Sequence, residues 1–298
     1  MQSNNPVFRR SESFNGTQQN AYGNTTYPGA GQQYPGYGQQ YPGYGQQPMA
    51  DPSQWGTGMP PMDTRRAGDR MTIDSVVQKT AFALGIVIVF AAATWMLTGD
   101  IEEGTAQTLV LALMVGSLGA FVLSLVNSFK RVVSPALVIL FCAFEGVALG
   151  ALSKFIDAQY SSPGTGNLVV QAVIGTFAAF AGTLAAYKFF NIQVGGRFRK
   201  FVIAAMFGMV ALSLLELVLS LFGSSFGLFG FGALGAVTAV IGLVLGVFML
   251  LLDFDFVEQG IAAGIDERES WRAAFAMTVS LVWIYTNLLR LLAIFNSD

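Results

Sequence analysis

The sequence predicts an all-α integral membrane protein with seven transmembrane helices, preceded by a disordered tail. Of its 298 residues 53% are hydrophobic and only 11% charged, with a mean hydropathy of +0.53. Those values belong to membrane chains rather than soluble domains. From residue 76 onward seven apolar runs follow one another, each of roughly 20 residues and so long enough to cross a ~30 Å hydrocarbon layer as a helix. An open sheet in lipid would leave backbone groups unpaired, which makes helices the assignment at this length.

Residues 1–70 form a separate region. The heptad Gly31-Gln-Gln-Tyr-Pro-Gly-Tyr37 is copied as Gly38 to Tyr44 and begun again at Gly45. Gln, Gly, Pro and Tyr without aliphatic periodicity build no core, so this GQQYPGY region reads as a cytoplasmic disordered tail. It is read either as a solvated extension or as a segment that self-associates or recruits a protein partner through its tyrosines. It is not a signal peptide, because the first apolar stretch begins only after Lys79.

Residues 71–298 form the transmembrane domain, with expected spans at 76–97, 106–126, 133–153, 167–188, 200–222, 231–252 and 273–295. Turn or charge signals separate them: Gly99 to Gly104, Lys130-Arg131, Ser161 to Gly164, Gly195 to Lys200, Gly223 to Ser225, and the stretch from Asp253 to Arg272. Lys and Arg near the span ends set the orientation. Arg65, Arg66, Arg70, Lys79, Lys130, Arg131, Lys188, Arg197, Arg199, Lys200, Arg268 and Arg272 fall on one side, and Lys154 alone falls on the other. This asymmetry predicts a multi-pass protein of the cell membrane with a cytoplasmic N-terminus and an external C-terminus.

Composition also narrows function. A net charge of −2 gives no reason to expect nucleic acid. Cys142 is the sole cysteine, in an apolar run, and reads as a packed thiol. Histidine is absent, which removes the commonest general base and transition-metal ligand, so the chain is not read as an enzyme and no cofactor is expected. A retinal protein would need a lysine in the last span, and none lies between Arg272 and Asp298. The Gly-x-Gly-Asp setting of an intramembrane aspartyl protease is also missing.

An ionised group at mid-bilayer costs about 2.5–3.5 kcal/mol on the insertion scale, so each one needs a cavity or a partner. Glu145 lies near the middle of span three, beside Gly146 and Gly150, whose GxxxG spacing lets another helix approach. Glu216 lies in span five between Ser213 and Ser220, and Asn287 and Arg290 lie one turn apart in span seven. At ~1.5 Å per residue Glu216 and Arg290 share a level. The expectation is an ion pair between them; the alternative is Arg290 snorkelling outward with Glu216 hydrogen-bonded alone.

Span six ends in Asp253-Phe-Asp255-Phe-Val-Glu258-Gln-Gly260. Gly235, Ala239, Gly242, Gly246 and Asp253 fall within about 40° of one direction at 100° per residue. That small-residue face packs against other helices and carries Asp253 inward. Asp255, 200° further round, groups with Glu258 at the wet rim.

With Phe144-Glu-Gly-Val-Ala-Leu-Gly150, the acidic end of span six and Trp283-Ile-Tyr-Thr-Asn-Leu-Leu-Arg290, residues 70–298 resemble the Bax inhibitor-1 family in its bacterial YccA-like branch. The resemblance implies six helices around a central seventh and a pH-sensitive leak of calcium down its gradient. It also implies a proton-sharing aspartate pair, one on helix six and one on helix seven, as gate. Its helix-six aspartate lands on Asp253 or Asp255, and the small-residue face selects Asp253; its helix-three acid matches Glu145. Asp253 and Glu145 thereby become the candidate calcium contacts. The chain departs from the pattern at Ile284, which stands where the second aspartate belongs. Asp253 is then expected either to pair with Lys130 or Arg131, or to couple to Glu145. The rival function is a non-conducting membrane regulator that binds partners, such as a membrane protease, through residues 1–70.

Overall fold

The computed structural model describes residues 70–99, 103–161, 167–190 and 192–297; the tail, its repeats, Arg65 and Arg66 lie outside them. Seven helices follow in order: α1 (Ile73–Leu97), α2 (Glu103–Phe129), α3 (Pro135–Tyr160), α4 (Leu168–Phe189), α5 (Gly196–Leu221), α6 (Ala233–Ala262) and α7 (Glu269–Asn296). All seven are long and apolar enough to span a membrane, and among the described residues no strand forms beyond an isolated bridge between Arg70 and Asp266.

Every expected span is a helix, and most run further than the apolar stretch. Hydropathy marks where a chain prefers lipid, whereas helix ends are set by caps and breakers, and charged residues such as Lys and Glu are good helix formers. Thr72 opens α1 with a reciprocal capping box to Ser75. Pro135 starts α3, and Asn167 caps α4 through the Val170 N–H. The largest extension is in α6, which passes the expected end at 252 and continues to Ala262. It stops where Gly264 takes φ +63°, with Ile265 N–H bonded to Gly260 O and Gly264 N–H to Ile261 O. This is a Schellman closure, and it requires the left-handed residue that glycine supplies.

Helix α7 sits at the centre, packed against α1, α3, α4 and α6, while α2 lies mainly on α3 and α5 on α6. Close approach rests on glycines. A Cβ on Gly146 or Gly150 would come within 2.5 Å of the backbone oxygens of Val87 and Ala91, so the helix these glycines admit is α1. On α6, Gly246 faces Ile284 of α7, where a Cβ would meet Ile284 Cγ1 at 2.5 Å, and Gly242 faces Asn287. Leu250, Phe254, Leu281 and Ile284 close a buried cluster around that contact. Outward faces are apolar as well: Phe121, Phe207, Leu215 and Val244 are exposed, a surface a membrane protein presents to lipid.

Candidate functional site in the seam between α6 and α7

The two helices run antiparallel, so stepping along α6 toward the connecting turn steps back along α7. Gly242 meets Asn287, Gly246 meets Ile284, and Asp253 meets Ser280, whose hydroxyl donates to the Asp253 carboxylate at 2.6 Å. Trp283 adds a tie, its indole N–H donating to Gly242 O at 2.8 Å. Because α6 ends at Ala262, Asp253 stands nine residues, about 14 Å, before the helix end rather than at its mouth.

The partners expected for Asp253 are replaced by Ser280. Lys130 and Arg131 have exposed side chains, and their backbone carbonyls accept from Arg272 instead. Glu145 is partly buried and makes no hydrogen bond or ion pair among the described residues. A single hydroxyl fills one of roughly four acceptor positions on an ionised carboxylate. Asp253 therefore keeps capacity for a cation or a proton.

Asp255 corrects the expectation that it belongs to the wet rim. It is buried, 7% exposed, and pairs with Arg199 of α5 at 2.9 Å while Gln259 donates to the same oxygen at 2.8 Å. Helical phase did point Asp255 away from α7; what it could not show is that α5 covers that face. Glu258 is exposed and accepts from the Tyr187 hydroxyl of α4.

The expected pair between Glu216 and Arg290 is also corrected. Glu216 accepts from the backbone N–H groups of Phe226 and Gly227 at 3.2 and 2.8 Å, closing the turn after α5. Arg290 donates to Thr238 Oγ1 at 3.2 Å and Asn287 Oδ1 at 3.4 Å, and lies 5.3 Å from the Phe229 ring centre. Equal depth placed the two residues at one level, but among the described residues α5 packs on α6 with no substantial contact to α7, so they do not share an azimuth. Ser213 and Ser220 bond to carbonyls of their own helix and form no site with Glu216.

A family model described as Bax inhibitor 1 like matches residues 5–297. The chain belongs to the Bax inhibitor 1 like family. No curated protein matches it at a significant level. The family match takes in most of the tail, which the motif resemblance had left out. For this family member, the structure separates Ile284 from Asp253. Ile284 is fully buried against Gly246, one turn and about 6 Å along α7 from Ser280, the residue that meets Asp253. An aspartate there would stand a turn further from Asp253 than Ser280 does. Among the described residues no group of three acids, cysteines or histidines assembles for a metal ion, so Asp253 and Glu145 present single carboxylates.

Sequence reading missed Ser280, Arg199 and Tyr187 as partners. Ser280 had a signal: it lies seven residues before Asn287, on the same face of α7. Arg199 and Tyr187 had none, since their contacts depend on how α4 and α5 lean on α6.

Proposed function

We propose that the protein is a calcium-permeable, pH-sensitive leak of the cell membrane, non-enzymatic, controlled by Asp253. The observation that carries this reading is a seam carboxylate about 14 Å from its helix end whose one hydrogen-bond partner among the described residues is the Ser280 hydroxyl. Such a group exchanges protons and attracts a passing cation, whereas Asp255, compensated by Arg199, holds α5 in place. Calcium prefers carboxylate and carbonyl oxygens and, with single acids rather than a cage, would pass instead of residing. Glu145 supplies a second carboxylate and Asn287 a polar step further along. The charge asymmetry supports a cytoplasmic N-terminus, which puts Asp253 in the cytoplasmic half.

The test is calcium flux into proteoliposomes between pH 6 and 8. The wild type is expected to change flux across that range, and Asp253→Asn to flatten the profile. A flat wild-type profile with normal flux removes pH sensing, and absence of flux in every preparation removes the channel. One observation favours a second reading, a membrane regulator that recruits a protein partner such as a membrane protease: the family match begins at residue 5 and so includes the tail. Deleting residues 1–70 distinguishes the two, because a docking tail loses partner capture and leaves flux unchanged.

A further inference from the structure

Helices α1 and α4 each pack on α7 with no substantial contact between them among the described residues, and a cavity of about 280 Å³ opens in the face between them. Its back wall is made by α3 and α7, including the buried Leu149 and Leu281. Its lips carry the exposed Ile88 and Ala92 of α1 and Phe177 of α4. The mouth therefore opens sideways, onto a surface that faces hydrocarbon. The Ser153 and Tyr285 hydroxyls in the wall bond each other at 2.6 Å, and Ser153 also reaches Leu149 O at 2.5 Å. The Thr176 hydroxyl in the lining likewise donates to Ala172 O at 2.7 Å; these hydroxyls are already partnered, and a cavity whose lining is otherwise apolar stays dry.

Length identifies the occupant. The α1 lining runs from Leu84 to Trp95, eleven residues apart and so about 16 Å, which is about half of a ~30 Å hydrocarbon layer. The slot is thus one leaflet deep. At its far end the Lys154 ammonium lies 5.8 Å from the Trp95 ring centre and donates to the carbonyls of Trp95 and Gly99. An aromatic ring with a cation beside it is what a helix places at the headgroup level. We infer that the slot between α1 and α4 binds one acyl chain of a membrane phospholipid, entering from the leaflet at the Trp95 end.

The test uses the full chain in phosphatidylcholine nanodiscs containing a phosphatidylcholine with a diazirine in one acyl chain, and maps the photoadducts by mass spectrometry. Annular lipid reaches only outward residues such as Leu118, 62% exposed, whereas Leu149 and Leu281, 7% and 3% exposed, are reachable only from inside the slot. Adducts on Leu149 and Leu281 are expected. Ala92→Phe, filling the mouth, should reduce them about tenfold relative to those on Leu118. Val173→Phe plugs the slot from α4 if Ala92→Phe unfolds the protein. Adducts confined to outward residues, or wall adducts that survive both plugs in folded protein, overturn the site. Wall labelling by the same diazirine chain as a free fatty acid, without labelling by the phospholipid, overturns the assignment to a phospholipid.

Discussion

Toward the α6–α7 turn, the seam region holds Asp253 and Asp255, and each receives a donor from another helix: Ser280 of α7 and Arg199 of α5. Toward the other end it holds Arg290, which leans on the dipoles of Thr238 and Asn287 and on the Phe229 ring, with no carboxylate partner among the described residues and its Nε buried without an acceptor. Acids near the turn are built into contacts between helices. The cation at the far end is tolerated by its surroundings. The contrast teaches that charge sign alone does not tell which residues tie the bundle together; what matters is whether a short hydrogen bond or a counter-charge reaches the group from a different helix.

The largest expected effect tests the level of the missing second aspartate. Ile284→Asp buries a carboxylate against Gly246 with nothing to compensate it, and should cost about 3–5 kcal/mol, the scale of an uncompensated buried charge. Thermal unfolding of the purified protein measures it. Ser280→Asp instead sets a second carboxylate beside Asp253, where the two share one proton. It should alter the pH profile of calcium flux more than Ile284→Asp does. Equal effects on that profile would mean that the seam does not hold the register described.

Next comes packing. Gly246→Leu drives a side chain into Ile284, and an overpacked contact should lose about 1–3 kcal/mol. Gly208 on α5 has nothing within 4 Å of a built Cβ, so Gly208→Leu should stay within about 0.5 kcal/mol of wild type. The difference between the two unfolding temperatures checks that the seam, rather than every membrane-spanning glycine, depends on close approach.

What the sequence made legible follows the same division. Seven spans were readable because hydropathy reports the preference of each stretch for lipid, and the inward face of α6 was readable because Gly235, Gly242, Gly246 and Asp253 repeat at helical spacing. The register of α6 on α7 was also within reach: an antiparallel pair joined by a short turn fixes which residues meet, and that arithmetic leads from Asp253 to Ser280 rather than to Ile284. What lay beyond reach was azimuth between helices distant in the chain. Glu216 and Arg290 share a depth, yet nothing local says that α5 rests on α6 alone. The N–H groups of the turn at Phe226 and Gly227, ten and eleven residues after Glu216, were nearer donors to its carboxylate than any other helix. The end of α6 was illegible for a related reason, since Asp253, Asp255 and Glu258 look like a membrane boundary although they continue the helix.

The latch between α5 and α6 should be smaller in effect than either seam substitution. Arg199 is half exposed, 47% at its side chain, while Asp255 is 9% exposed. Water screens part of the pair, so Arg199→Met should lose about 1–2 kcal/mol. Asp255→Asn, by removing the buried charge itself, should partly restore stability in the Arg199→Met background. A double-mutant cycle by thermal unfolding reads this directly, and additive losses would show that the two side chains do not act on each other.

Among the charged residues the smallest effect is expected at the other end. Arg290 is held by two long hydrogen bonds at 3.2 and 3.4 Å and a ring, and its Nε has no acceptor. Replacing a buried ionic group by an apolar one of similar volume is often neutral or stabilising, because desolvation of the charge is removed along with its interactions. Arg290→Met should therefore change stability by less than about 1 kcal/mol, in either direction, while Arg199→Met lowers it. The two substitutions delete the same charge and add the same side chain, so the comparison isolates the counter-charge. A loss at Arg290 as large as that at Arg199 would mean that the Thr238, Asn287 and Phe229 contacts compensate a guanidinium as well as a carboxylate does, and the division of the seam into a tied end and a tolerated end would fail.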